Sequence, residues 1–188
     1  VQRNLEVEHK LSANSSVSAG YQYLRGLHLI ISVNQNVPTC VAAGTNNGCR
    51  PNPNYANNSQ YSPLASSAYH GLHVSLLQRP ADWSQVRVSY TLSKAMNNVG
   101  EAFFSGPIDP FDLSKDWGRA DSDQRHRVVV NGAVRAHGFS VSGLLQAYSA
   151  TPFNITSGVT TLQGTAGRPL VDGAFIPRNA GESTPFVS

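Results

Sequence analysis

The sequence lacks long apolar runs and carries few charged residues. Its longest apolar stretches are only a few residues, whereas a membrane-spanning helix needs about 18 in succession. Charged residues make up 13% of the chain, roughly half the share found in an ordinary soluble domain. With 16 glycines and 11 prolines, this composition argues against helical bundles and disordered chains. Two classes remain, a soluble all-β domain and the wall of a β-barrel.

Basic residues are scattered along the chain. The net charge is +3, but there is no dense run of Lys and Arg and no interleaving of aromatic and basic residues of the kind that binds RNA. We therefore expect no nucleic-acid partner.

The only two cysteines, Cys40 and Cys49, lie in one polar segment that is rich in Gly, Asn and Pro. A disulfide that closes this segment is the favoured interpretation, and it indicates an oxidising place such as the periplasm, the cell surface or the exterior. A zinc site in which His28, His70 and His73 converge is the alternative. The cysteines lack further Cys or His ligands at zinc spacing, which favours the disulfide.

Alternation of apolar and polar residues predicts six β-strands, because successive side chains of a strand point to opposite faces. In the fourth strand, for example, Val86, Val88 and Tyr90 alternate with Arg87 and Ser89. The predicted strands cover residues 4–11, 17–23, 69–79, 83–94, 125–136 and 139–148.

The connections between these strands alternate in length. Residues 12–15, 80–82 and 137–138 are short links, whereas residues 26–68 and 96–124 are long and polar and are predicted to be loops. Outer-membrane barrels have short turns on one side and long loops on the other, and strands of about 10 residues span a bilayer when tilted. The predicted fold is therefore all-β: an antiparallel up-and-down transmembrane β-barrel segment, open and about six strands wide, with long outer loops.

The two faces of the predicted strands differ in polarity, and this difference predicts which side meets lipid. Residues expected to face lipid are Leu72, Val74, Leu76, Val86, Val88, Tyr90, Leu92, Val128, Val130 and Val134. Residues expected to face the lumen are Arg87, Ser89, Arg127 and Arg135. Interfacial aromatic girdles would account for Tyr21, Tyr23, Trp83, Tyr90 and Phe139.

Five stretches of the chain resemble the barrel of TonB-dependent outer-membrane receptors, and most closely the Oar-like subgroup. They are Tyr69–Leu76, Val88–Ala95, Asp116–Arg127, Val128–Val134 and Ser149–Phe153. The five occur in the expected order, with the expected loop between each pair, and the resemblance covers nearly the whole chain.

The resemblance implies a barrel of about 22 strands that encloses a plug. Residues 1–188 would be part of that barrel, without the plug, and residues 176–181 would lead into a further strand that the chain does not include. The expected place is the Gram-negative outer membrane. The expected function is active uptake or export of a large ligand. The expected partners are outer-membrane lipid, the transported ligand, and TonB through a part of the receptor outside this chain; no cofactor is expected.

Two alternatives to this interpretation stay open at the level of sequence. A surface or secreted β-sandwich that binds glycans would place the aromatic residues in its core. A soluble hydrolase could use Asp121, Asp123 and His126 as an acid–base group. Because no nucleophile elbow or phosphate loop occurs in the sequence, and because acids and arginines at a loop–strand junction usually form ion pairs, we expect no enzyme.

A calcium site is a further possibility at the same junction. Its ligands would come from the carboxylates of Asp109, Asp112, Asp116 and Asp121, although their spacing does not fit an EF-hand loop.

The disulfide gives the first testable prediction. A bond between Cys40 and Cys49 would close a loop of about 10 residues and stabilise the fold by up to about 3 kcal/mol in the chain-entropy description. Thiol labelling of the native, unreduced protein should modify neither residue, and labelling should appear after reduction. Labelling of both cysteines without reduction would contradict the prediction.

Overall fold

A computed structural model describes residues 1–39, 49–99, 106–157 and 167–183, and the backbone of residues 186–187. The strands are β1 Gln2–Ser12, β2 Ser15–Asn34, β3 Ser59–Ala81, β4 Ser84–Asn97, β5 Gly118–Arg119, β6 His126–Ala136, β7 Phe139–Tyr148, β8 Pro152–Phe153, β9 Leu170–Val171, β10 Ala174–Phe175, β11 Gly181–Glu182 and β12 Phe186–Val187. A short 3-10 helix, Leu113–Asp116, precedes β5.

The main sheet is an antiparallel meander. Its strand order within the described residues is β1-β2-β3-β4-β6-β7-β12, and β5 pairs with the end of β4. The sheet is open, since its first and last strands do not pair with each other in the described part. The prediction of an all-β, up-and-down, open segment is confirmed. The sandwich alternative is wrong, because the only other described sheets are two pairs of two-residue strands, β9 with β10 and β8 with β11.

The two rims of the sheet are unequal. Two-residue links join β1 to β2, β3 to β4 and β6 to β7, and together they form what we call the turn rim. In the last of these links, His137 and Gly138 have φ angles of 50° and 81°, and positive φ at both central residues is characteristic of the type I′ hairpin turn. The long connections lie at the opposite end of the strands, which we call the loop rim. The predicted alternation of short and long connections is confirmed.

The loop predicted over residues 26–68 is wrong at both ends. Strand β2 continues to Asn34 and β3 already begins at Ser59, so the connection between them is residues 35–58. Register shifts between Gly26 and Leu29 and between Leu29 and Ile31 break the period-two pattern, and His28 has a left-handed φ of 57°. A bulge moves the side chains that follow it to the other face of the sheet. A search for strict alternation therefore does not recognise the strand beyond the bulge.

This extension of β2 and β3 carries the main apolar core within the described residues. Ile31, Val33 and Ala65 are buried. Leu29, Val99 and Leu113 pack against them. Val99 and Leu113 both belong to the connection between β4 and β6, so that connection lies over the extension. The core of the described part therefore lies at the loop rim and not against the middle of the sheet.

The strand register places the predicted residue sets on opposite faces. Residues paired across antiparallel strands point to the same side, and one row of pairs runs Ala19–Val74–Tyr90–Val128–Ala147. All ten residues predicted to face lipid lie on this side, which we call the apolar face, and Arg87, Ser89, Arg127 and Arg135 lie on the other, the polar face. That lipid covers the first and a lumen adjoins the second stays a prediction.

Along the middle of β3, side chains on the apolar face are more exposed than those on the polar face, which is the reverse of what water favours. Leu72, Val74 and Leu76 are 43%, 36% and 40% exposed, whereas the intervening polar-face residues are half-buried or buried. Side chains crowd on the polar face: a Cβ on Gly20 would lie 2.2 Å from the ring of His73 on the adjacent strand. We infer that the polar face is the concave one. An apolar convex face is typical of a barrel wall surrounded by hydrocarbon.

Arginine substitutions at two neighbouring positions of β4 test this assignment. Val88→Arg would place a charge on the apolar face and should lower the free energy of unfolding in bilayers by about 2–4 kcal/mol if it lies near the midplane. Ser89→Arg lies at almost the same depth on the polar face and should cost far less. Equal losses in chemical denaturation from liposomes would contradict the assignment of the faces.

Candidate loop-rim recognition site

The loop rim is built on the end of β4. There β5 pairs with β4, Met96 opposite Arg119 and Asn97 opposite Gly118. The backbone N–H of Ala120 then donates to the carbonyl of Ala95 at 2.9 Å. The chain that leads into β6 is thus aligned with the barrel strands, and its charged side chains are held at fixed positions.

Asp123 is the centre of this arrangement. Its side chain is 0% exposed and accepts hydrogen bonds from the backbone N–H of Ala95 at 2.7 Å, from Arg119 Nε at 2.8 Å and from Arg125 Nε at 3.2 Å. A desolvated carboxylate is stable only when cations and donors compensate it in this way. Asp123 therefore ties the approach of β6 to the end of β4.

A second ion pair attaches the segment before β11 to the rim. Arg178 is 4% exposed and its Nη2 donates to Asp121 Oδ1 at 2.7 Å, while its Nη1 donates to the Asn97 side chain. Asn179 donates to the same Asp121 oxygen at 2.6 Å and to the carbonyl of Arg119 at 2.8 Å. The backbones approach closely here: a Cβ on Gly118 would lie 2.7 Å from the carbonyl oxygen of Arg178, so glycine is required.

A third ion pair joins the segment before β9 to the short helix. Arg168 is buried, and its Nη1 donates to Asp116 Oδ1 at 2.8 Å while its Nη2 donates to the Lys115 carbonyl. The other Asp116 oxygen accepts from the backbone N–H of Ile108 at 2.8 Å. Asp116 thereby links the short helix to Ile108, eight residues earlier, and to Arg168, 52 residues later.

Outside this buried set, Asp109 forms an exposed pair with Lys115 Nζ at 2.5 Å. The hydrogen bond from Lys115 lowers the pKa of Asp109, and the same contact raises the pKa of Lys115. Asp112 accepts from the backbone N–H of Ser114 at 3.1 Å and also from its hydroxyl, and these bonds lower the pKa of Asp112. Both carboxylates therefore stay ionised to a lower pH than a free aspartate would.

The proposed acid–base group does not assemble. Asp121 and Asp123 are bound by arginines, whereas His126 lies on the apolar face and its Nδ1 is 2.8 Å from the Tyr90 hydroxyl. The interpretation of this junction as a set of ion pairs that fix an outer loop agrees with these contacts.

The two metal alternatives also lack support in the geometry. Within the described ranges, no group of three or more His, Cys, Asp or Glu side chains could hold a metal ion. His70 and His73 point to opposite faces of β3, and His70 Nδ1 lies 2.6 Å from the Tyr21 hydroxyl. Each carboxylate of the calcium hypothesis already has a Lys, Arg or N–H partner.

The predicted disulfide is only partly within the described residues, since Cys40 lies outside them. The backbone N–H and the hydroxyl of Thr39 both donate to the carbonyl of Cys49, each at 2.8 Å. These bonds hold residue 39 beside Cys49. The pairing of Cys49 with Cys40 stays a prediction.

Arg168, Arg178 and Asn179 were missed by sequence reasoning, because isolated polar residues in a segment without periodicity give no signal for long-range partners. The same reasoning predicted that residues 176–181 approach a strand beyond the chain. That prediction is wrong in part, because β11 pairs with β8 and β12 already pairs with β7.

Loss of the central carboxylate should loosen the rim. Asp123→Asn would leave Arg119 and Arg125 without their buried counter-charge, and breaking a buried pair costs about 3–5 kcal/mol. Hydrogen exchange of amides 118–125 in the full-length protein should accelerate accordingly. The control, Asp112→Asn, removes an exposed carboxylate and should leave those amides protected; equal protection in the two variants would contradict the central role of Asp123.

No helix among the described residues is long and apolar enough to cross a membrane. Searches of curated proteins and of solved structures found no match. A family model described as "Outer membrane beta barrel domain" matches residues 1–186. The open meander, its exposed apolar face and its single elaborated rim agree with this match, and the chain belongs to the outer membrane beta barrel domain family, which places it in an outer membrane.

Proposed function

We propose that the chain forms part of the barrel wall and outer rim of a TonB-dependent receptor of the Oar-like subgroup, in the outer membrane of a Gram-negative bacterium. The receptor would take up or export a ligand too large for diffusion through a porin. Its partners would be membrane lipid, the transported ligand and TonB, the last through a part of the receptor outside this chain. It would be neither an enzyme nor a nucleic-acid-binding protein.

The observation that carries the proposal is the asymmetry of the two rims. The turn rim consists of two-residue links, whereas the loop rim is cross-linked by buried Arg168, Arg178 and Asp123. Fixing these side chains costs conformational entropy. A rigid rim on only one side is suited to ligand recognition, because preorganised loops lose less entropy on binding.

Energy coupling distinguishes this proposal from a passive pore or an adhesive surface. Oligosaccharides, peptides and chelated metals would be supplied to cells one class at a time. A strain that lacks the full-length protein should fail to accumulate one of these classes. Re-expression should restore uptake, and collapse of the inner-membrane proton gradient should abolish it. Asp123→Asn at equal abundance in the membrane should reduce uptake by loosening the rim.

Two outcomes would contradict the proposal. Ligand entry that continues at the same rate without the gradient would indicate a diffusion pore. Ligand binding at the cell surface without any protein-dependent entry would indicate an adhesin.

A further inference from the structure

A row of cationic and aromatic side chains crosses four strands where the apolar band ends near the loop rim. Register pairs Arg3 with Tyr23, Tyr23 with His70, and His70 with Lys94. All four lie on the apolar face, one step beyond the row Leu5–Tyr21–Leu72–Leu92. We call Arg3, Tyr23, His70 and Lys94 the cationic row.

On the long strands, negative charge is confined to the polar face. Strands β1–β4, β6 and β7 contain two carboxylates, Glu6 and Glu8, and register places both on the polar face. Arg3 and Lys94 are exposed and form no ion pair with any described residue. Arg25, one row further toward the loop rim, adds a third exposed cation on the same face.

The aromatic members of this zone are held in place by histidines. The Tyr21 hydroxyl is 2.6 Å from His70 Nδ1, and the Tyr90 hydroxyl is 2.8 Å from His126 Nδ1. The ring centroids of Tyr23 and His70 are 4.8 Å apart. Amphipathic rings of this kind sit at the level where hydrocarbon gives way to headgroups, which places the cationic row at that level.

We propose that the cationic row binds the phosphates of a lipid headgroup in the leaflet on the loop side, and that this headgroup carries two or more phosphates. A ligand on this face must cover the apolar band with hydrocarbon and present an anionic group to the cationic row. A lipid combines both in one molecule. Arg3 and Lys94 are three strand spacings apart, roughly 14 Å, so a headgroup with two phosphates can offer a separate phosphate to each cation when both side chains extend away from the sheet. The proposal rests on the membrane-spanning assignment and is independent of transport.

Binding of two lipids to the full-length protein in nanodiscs tests the proposal. Both lipids have the same acyl chains; one has a headgroup with two phosphates, and the other is zwitterionic. The wild type should retain the phosphorylated lipid preferentially when bound lipids are counted by native mass spectrometry. Arg3→Gln with Lys94→Gln should weaken that retention about tenfold or more, since each cation near a membrane surface contributes to binding anionic lipid.

The polar face offers a matched control, because Lys10→Gln with Arg87→Gln removes the same charge from the opposite side. This control, and the charge-preserving pair Arg3→Lys with Lys94→Arg, should both retain the lipid. Equal loss in the control, no loss in the first pair, or release of the lipid by millimolar inorganic phosphate would each overturn the proposal. If the membrane-spanning assignment itself were wrong, the protein would not enter nanodiscs. That outcome is therefore distinguishable from failure of the lipid proposal.

Discussion

Backbone hydrogen bonding across the sheet is the constraint on which the rest of this structure depends. In hydrocarbon an unpaired N–H or C=O costs several kcal/mol, so a spanning chain must pair its backbone between neighbouring strands. The ladder from β1 through β7 follows one antiparallel register, with shifts confined to the turns and to the extension beyond Gly26. With the register fixed, every side chain is assigned to one face, and the apolar face can be left exposed to lipid.

The loop rim is stabilised by a different kind of interaction. At the loop rim few apolar side chains of the described residues are buried, namely Ile31, Val33, Val37, Ala65, Ala120 and Ala150. Ion pairs take over: buried Arg168 and Arg178 join distant segments to Asp116 and Asp121, and buried Asp123 is bound by Arg119 and Arg125, which are near it in sequence. Such pairs demand specific geometry, and they hold residues 167–183 against the rim.

Sequence alone was sufficient for the spanning strands and insufficient for the rim. Strict alternation located β7 at Phe139–Tyr148 without error and assigned the faces of β4. It could do so because an alternation with a period of two residues depends only on the local sequence. It missed the extension of β2 to Asn34, where bulges break the period, and it missed Arg168 and Arg178, whose partners lie 52 and 57 residues away. Pairing over such distances depends on the folded topology and leaves no local pattern.

The most direct measurement of the central claim is the environment of each side chain along β4. Spin labels placed one at a time from Val86 to Ser93 of the full-length protein in liposomes would report collisions with oxygen, which concentrates in hydrocarbon, and with a water-soluble nickel complex. Even-numbered positions should favour oxygen and odd-numbered positions the nickel complex. Equal access at all eight positions, or the opposite alternation, would contradict an apolar face covered by lipid.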